Sequence, residues 1–589
     1  MMTAGLGLRP PVARPGLRPG LRSGWPRRGS VVRLGWLFLV LALVAAGQVP
    51  VRVEPVAGRH GMVVAGHPQA AQAGIEVLRA GGTAVDAAIA VSLSLGVAEP
   101  YGSGLGGKLM LLYYEAATGR TYALDAMDAA GSLEVAAYLR RPEDDHSYGY
   151  GAVCVPGLAA GLWTAHERWG RRKWADDVAP ALRLARAGFE VLPKTREFFA
   201  EQEKKLRRGD AEIARLYLPG GQLPVVGTRL PNPDLAHTLE LLAQRGRAGF
   251  YRGPVAAAIV AASQRGGGTL TLDDLARYEA RVVEPIGIDF RGYQLRSSPP
   301  PTSGAPLFLT IMKVLEAETF AGGPLRSAAN LDRLGRVWRE VQTRVQRGIA
   351  DVPEARFNFE KLVAPDSLRE IRARASAPAV PAAAGLEDSG ASASAMAATT
   401  HFLVADAAGN LVCATQSQSL HFGAGVVPPG TGVVLNDSMS NFAFTEPRSV
   451  NFVAPGKRPR STVAPVIVFR AGRPVLALGI PGAARIPTAL LQVLLDRLVL
   501  DRPLAEAIGD SRVHFNRNWR RDDEESIEAE ASFPAAEAAA LRRLGWKVDL
   551  TEPAGTGRLF GGVNAIECRR DGGYTGYADP RRTNAAIGY

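Results

Sequence analysis

The junction Ala397-Ala398-Thr399-Thr400-His401 constrains this chain more than any other stretch, because two incompatible kinds of sequence meet there without a transition. Upstream, residues 375–398 (ASAPAVPAAAGLEDSGASASAMAA) hold almost no large apolar side chain, cannot pack a core, and read as a flexible linker. Downstream, residues 400–406 read as a strand, 407–410 as a turn and 411–417 as the return strand. Thr399 is therefore predicted at the mouth of a buried hairpin. A threonine hydroxyl alone is a poor nucleophile, but a threonine at a free N-terminus carries its own α-amine, titrating near ~7.7–8.0, as a general base. The junction reads as a cleavage site between Ala398 and Thr399. The competing reading is an interdomain linker that ends on a strand beginning Thr-Thr.

Length and charge set the bounds. A chain of 589 residues, 47% of them apolar, suffices for two domains or one large layered α/β fold. Residues 1–47 hold seven arginines and no acid, and removing those seven from the formal +12 leaves +5. The remaining basic residues are interspersed with acids, which argues against a nucleic-acid groove. The arginine-rich start, followed by the apolar run 34–47 with small residues at its end, fits a signal peptide better than a spanning helix of ~20 residues. A periplasmic or secreted protein is expected, with an uncleaved inner-membrane anchor as the alternative. Three cysteines, Cys154, Cys413 and Cys568, imply no disulfide framework. The eight histidines show no metal-ligand spacing, so neither a metal nor a cofactor is expected.

Helices are predicted at 67–80, 84–96, 158–169, 179–188, 231–245, 254–265 and 272–280, and after the Pro/Ser turn 297–304 at 307–317. Residues 102–107 formally match GxGxxG. A helix and Pro100 precede them and strands 109–114 and 120–125 follow, so they read as a tight turn where backbone approaches something closely, not as a nucleotide site. Beyond Thr399, strands are predicted at 432–436, 463–469, 474–479, 564–568 and 574–578, with helices at 487–498 and 534–544. The result is an α/β fold of helices flanking stacked sheets. It divides into residues 48–374, the linker 375–398, and residues 399–589.

The chain carries His67-Pro68, Gly81-Gly82-Thr83-Ala84-Val85-Asp86, Glu99-Pro100 with Ser103-Gly104-Leu105-Gly106-Gly107, and Val155-Pro156-Gly157. These continue with Pro299-Pro300-Pro301-Thr302-Ser303-Gly304, Thr399-Thr400-His401, Lys457-Arg458-Pro459 with Ser461-Thr462, Pro481-Gly482 and Asp579-Pro580-Arg581. In this set and order the chain resembles the γ-glutamyltransferase family of N-terminal-nucleophile hydrolases, from about residue 61 to the end. The resemblance implies a four-layer αββα sandwich made as one precursor, a zymogen that cuts itself before Thr399 into large and small subunits that stay associated. Thr399 would then form an acyl-enzyme with an amide, resolved by water or an amine. Ser417 matches a hydroxyl residue that supports the nucleophile, and Gly482 and Ala483 match a Gly-Gly pair whose N–H groups hold the oxyanion. Ser461 and Thr462 match residues that contact the substrate carboxylate.

The match breaks at the substrate head group. The family's carboxylate-gripping arginine is Met127 here, and its α-amino contacts are Ser419, Ser438 and Asn441. Losing such partners typically costs about 2–5 kcal/mol, so the expected small-molecule amide or γ-glutamyl substrate is not standard glutathione. Lys108 or Arg460 could supply a cation from another direction, or be solvated surface charges. The short segment 442–457 resembles members with an uncovered cleft, some of which deacylate cephalosporin side chains while others act on polyglutamate. The alternative to an enzyme is a degenerate, unprocessed binding protein. Retention of Thr399, Ser417, Ser461, Thr462 and Gly482 beside a changed head-group set favours the enzyme.

Overall fold

Strand pairing in the computed structural model, which describes residues 51–320, 323–376, 397–517, 525–551 and 560–589, gives two seven-stranded antiparallel sheets. The first runs Ala585–Gly588, Met62–Ala65, Ala397–Ala405, Leu411–Leu420, Lys108–Glu115, Arg120–Ala126 and Arg281–Val283. The second runs Pro55–Gly58, Tyr574–Ala578, Asn564–Cys568, Arg473–Gly479, Val466–Arg470, Tyr293–Ser297 and Ile286–Phe290. The signal-peptide reading of residues 1–47 and all but the ends of the 375–398 linker lie outside the described residues.

Successive side chains of a strand point to opposite faces, and here both faces are buried. Val64, Leu112 and Cys413 of the first sheet turn inward to meet Ile467, Ala477 and Ile566 of the second. Their neighbours Val63, Leu111 and Val412 turn outward and pack with Ile75, Ile89 and Leu158 of the helices Pro68–Arg79, Ala84–Ala98 and Leu158–Trp169. On the far side, Val466, Val468 and Leu478 pack with Phe308, Trp338 and Leu490 of Gly304–Val314, Ala328–Gly348 and Ile486–Leu498. The order is helix, sheet, sheet, helix, the αββα sandwich. Both sheets draw strands from before and after the junction, so the two halves of the chain are interleaved.

Most predicted elements fall within a few residues of the observed ones, but residues 432–436 do not form a strand. Gly432 is left-handed at φ 64°, and Leu435 makes an isolated parallel bridge to Gly106. A side chain at Gly106 would lie 2.1 Å from the Val434 carbonyl oxygen, so the glycine turn is the surface this segment rests on. The sequence reading also missed a three-stranded sheet, Val513–Arg517, Glu525–Glu530 and Lys547–Thr551. Its strands are short and charged, and the middle one has two apolar residues, Ile527 and Ala529, both buried.

His401 reaches across from the first sheet to the second. Its ring would be 2.2 Å from a Cβ at Gly479 of the opposite sheet, its carbonyl accepts from Asn564 Nδ2 at 2.7 Å, and its Nδ1 meets Thr415 Oγ1 at 2.8 Å. Burial pushes its pKa down from 6.5 to about 3, and that of buried His67 to about 4. The folded protein therefore holds both rings neutral where the unfolded chain takes up protons. Their contribution to stability is present above pH 6.5 and is lost as pH falls below it, at up to about 1.4 kcal/mol per group per pH unit. The fall in urea midpoint between pH 7 and pH 5 should be smaller in His401→Gln than in the unsubstituted protein; equal falls would contradict the neutral ring.

Candidate active site

Register brings Thr399 and Ser417 together. Ala398 pairs with Ser419 and Thr400 with Gln416, so between these pairs one residue, Thr399, faces two, Ser417 and Gln418. Such a bulge re-aims side chains locally. Thr399 is 4% exposed and Ser417 2%. The Thr399 hydroxyl donates to the Ala398 carbonyl oxygen at 2.6 Å, Ser417 Oγ donates to the same oxygen, and the two hydroxyl oxygens are 3.0 Å apart. Ser417 Oγ also accepts the Ser419 N–H at 3.0 Å. The glycine turn explains its own composition here: a Cβ at Gly107 would lie 2.3 Å from the Ser417 carbonyl oxygen. This is the close backbone approach anticipated for residues 102–107.

A second group adjoins the first. The junction strand Ala397–Ala405 packs against the short helical turn Ala483–Arg485. Gly482 has φ 141°, and Ala483 is left-handed at φ 53°, a conformation costing an alanine about 1–2 kcal/mol. Among the described residues neither N–H is spent on a hydrogen bond. Thr462 Oγ1 holds the turn by donating to the Ala483 carbonyl at 2.8 Å. Ser461 is fixed through its backbone, bridging Thr302 and accepting the Ser303 N–H at 2.7 Å. Two N–H groups left free of hydrogen bonds among the described residues are the kind of donors that stabilise a tetrahedral oxyanion.

Ser419, Ser438 and Asn441 form a third group, and its centre is Lys108. The Lys108 ammonium contacts Ser419 Oγ at 2.5 Å, Ser438 Oγ at 2.7 Å and Asp128 Oδ2 at 3.4 Å. Asn441 Nδ2 donates to Ser419 Oγ at 2.9 Å. Lys108 is 2% exposed, so it is not a solvated surface charge. Nor is Arg460, which is buried and donates to the Ile349 and Gln346 carbonyls, both at 2.8 Å. Burial pushes the Asp128 carboxyl up to about 6, against the opposing pull of Lys108. Asp128 escaped the sequence reading as a site residue. The available signal was a lysine heading an apolar strand, which must find a buried acid.

Met127 directly precedes Asp128 of this third group. Its side chain is fully buried with Met110 and Val463, and its carbonyl accepts the Tyr278 hydroxyl at 2.6 Å. Asp125, two residues earlier, accepts the Met127 N–H at 3.1 Å and pairs with buried Arg458 at 2.5 Å. The short segment 442–457 folds back on itself, bridging Ala443 to Phe452, with Lys457 Nζ donating to the Val450 and Phe452 carbonyls.

One set of possible metal ligands occurs among the described residues, Asp86, His166 and Asp177, outside the groups above. Both Asp86 oxygens accept N–H groups, from Thr83 and Arg171, and Asp177 pairs with Arg172 at 3.0 Å. Burial and neighbouring Asp86 push Asp177 up to about 8. The cluster serves helix capping and packing.

The Gamma-glutamyltranspeptidase family model matches residues 70–589. The glutathione hydrolase proenzyme of Bacillus subtilis (strain 168) is 30% identical over 586 residues, covering 93% of this chain and 97% of its own. The acylase ACY 1 proenzyme of Pseudomonas sp. (strain V22) is 34% identical over 543 residues, covering 89% and 93%. Among solved structures, the cephalosporin acylase from Bacillus halodurans matches with a TM-score of 0.81 at 26% identity, over 92% of this chain and 98% of its own.

The Ala398 carbonyl makes Ser417 testable. Ser417→Ala should slow the appearance of chains cut at residue 399 by about 10²–10³, the typical effect of losing one oxyanion donor, and Ser417→Thr should restore it. Unchanged processing in Ser417→Ala, followed by gel electrophoresis, would remove Ser417 from the site.

Proposed function

The chain belongs to the γ-glutamyltranspeptidase family, and from that premise we propose that it is a self-processing amidase or acyltransferase whose nucleophile is Thr399. The observation that carries this reading is the convergence of the Thr399 and Ser417 hydroxyls on the Ala398 carbonyl oxygen. In processing, Thr399 Oγ1 attacks the Ala398 carbonyl carbon while Ser417 hydrogen-bonds the developing oxyanion. The Ala398–Thr399 C–N bond then breaks, leaving an ester on Oγ1 and a free α-amine. Water hydrolyses the ester, releasing the Ala398 carboxylate and the Thr399 hydroxyl. The interleaved sheets support a large part ending at residue 398 and a small part from 399 that stay joined.

In turnover the α-amine takes the hydroxyl proton, Oγ1 attacks a substrate amide, and the amine leaves with a proton. The N–H groups of Gly482 and Ala483 hold the oxyanion, with Thr462 fixing their turn. Ser461 and Thr462 are the contacts for an anionic end of the substrate. Water or an acceptor amine then resolves the acyl ester. The Bacillus subtilis relative is named a glutathione hydrolase and the Pseudomonas relative an acylase. The buried Met127 and the lysine-filled serine group favour acylase-like chemistry on a side-chain amide over hydrolysis of glutathione. The arginine-rich, apolar start of the chain supports export to the periplasm or beyond.

Acyl p-nitroanilides test the mechanism. The protein should release a burst of nitroaniline stoichiometric with enzyme, an added amine should speed the following steady phase, and Thr399→Ala should show neither. Turnover by Thr399→Ala at the unsubstituted rate would sink the assignment.

A further inference from the structure

Lys108 opens the strand Lys108–Glu115 in register with Ser417 on its neighbour, so its side chain starts beside the Thr399–Ser417 pair. Ser419, which holds its ammonium, is two residues along the strand from Ser417, roughly 6–7 Å, the span of a short acyl chain. The heavy-atom contacts admit one hydrogen arrangement that satisfies every group in this cluster with Asp128 ionised. Ser438 Oγ donates to Asp128 Oδ2 at 2.5 Å, so the 2.9 Å contact between Ser419 and Ser438 uses the Ser419 hydrogen. Ser419 Oγ then accepts from Lys108 and Asn441, and Ser438 Oγ accepts from Lys108 and Ser419. Each hydroxyl has given its one hydrogen and filled both acceptor positions. The three ammonium hydrogens face Ser419, Ser438 and Asp128.

We propose that the Lys108 ammonium is a built-in occupant of the acyl head-group pocket, and that it makes the site select acyl groups lacking an α-ammonium. The inference rests on the reading that Thr399 carries the acyl group. A second ammonium entering this pocket finds the hydroxyl acceptors filled. Of the nearby carboxylates, Asp128 Oδ1 and Asp437 Oδ2 have no hydrogen-bond partner among the described residues, and fixed cations already act on both, Lys108 on Asp128 and Lys205 with Lys108 on Asp437. Like charges brought together in a desolvated site repel strongly. An acyl chain with hydrogen at that carbon meets no such barrier. Lys108 is thus a specificity-determining residue that touches the head group and not the reacting carbonyl.

The test uses a matched pair that differs only in the α-ammonium. Binding of glutarate and L-glutamate to the processed protein is measured by titration calorimetry, and turnover of glutaryl-p-nitroanilide and γ-glutamyl-p-nitroanilide in parallel. Glutarate should bind at least ten-fold more tightly than glutamate, with the difference in KM more than in kcat. Lys108→Met should narrow the gap at least ten-fold, and Lys108→Arg should keep it. Equal binding of the two acids by the unsubstituted protein overturns the proposal even if Lys108→Met does not fold. A gap that survives in folded, processed Lys108→Met overturns it as well. A binding gap without turnover of either anilide supports the Lys108 role and overturns the Thr399 reading instead.

Discussion

The short contact between the two central strands, where one residue of the junction strand faces two of its partner, is the constraint on which the rest of the molecule depends. It turns Ser417 toward Thr399 and sets both hydroxyls on the carbonyl of the bond between them and the linker. The bulge holds its shape because both strands are buried on both faces, by helices on one side and a second sheet on the other. Glycines at 107 and 479 allow that packing, since a side chain at either would collide with the Ser417 carbonyl or the His401 ring. Interior packing this dense leaves little room for the strands to slip.

Around this contact the chain buries charges in pairs that serve different ends. Arg458 and Asp125 tie the segment before Met127 to the loop that carries Ser461 and Thr462. Arg512, Arg581, Asp579 and Glu530 form a buried group near the C-terminus, where Asp579 is held below its ordinary pKa by Arg512 and Arg581 despite burial. Breaking one member of such a pair leaves a desolvated charge and is strongly destabilising. The Lys108–Asp128 pair lies beside the reactive hydroxyls, and its charge bears on what the pocket admits.

Much of this was legible in the sequence. The Thr399 hairpin, the glycine turn and the final strand pair each carry a local signal: a break in composition, a turn flanked by the wrong elements for a nucleotide site, and alternating apolar runs. What the sequence did not carry was the direction of side chains fixed by distant partners. Met127 stands where the resemblance places an arginine, and its side chain packs with Met110 and Val463, two residues along from the Arg458–Asp125 pair. For Lys108 a cation in the site and a solvated surface charge both stayed open, because its partners Ser419 and Ser438 lie 311 and 330 residues along the chain. Residues 432–436 have strand composition, but their backbone bonds go to residues 424 and 426 of a nearby loop and to Gly106, which makes one isolated bridge and no ladder.

Intact mass spectrometry of the full chain, expressed in an export-competent host, tests the central claim most directly. A self-processing enzyme gives two species that copurify and separate only on denaturation, the smaller beginning at Thr399. A single species that spans the Ala398–Thr399 bond in freshly purified and in aged protein would contradict self-processing and leave a binding protein on the same scaffold.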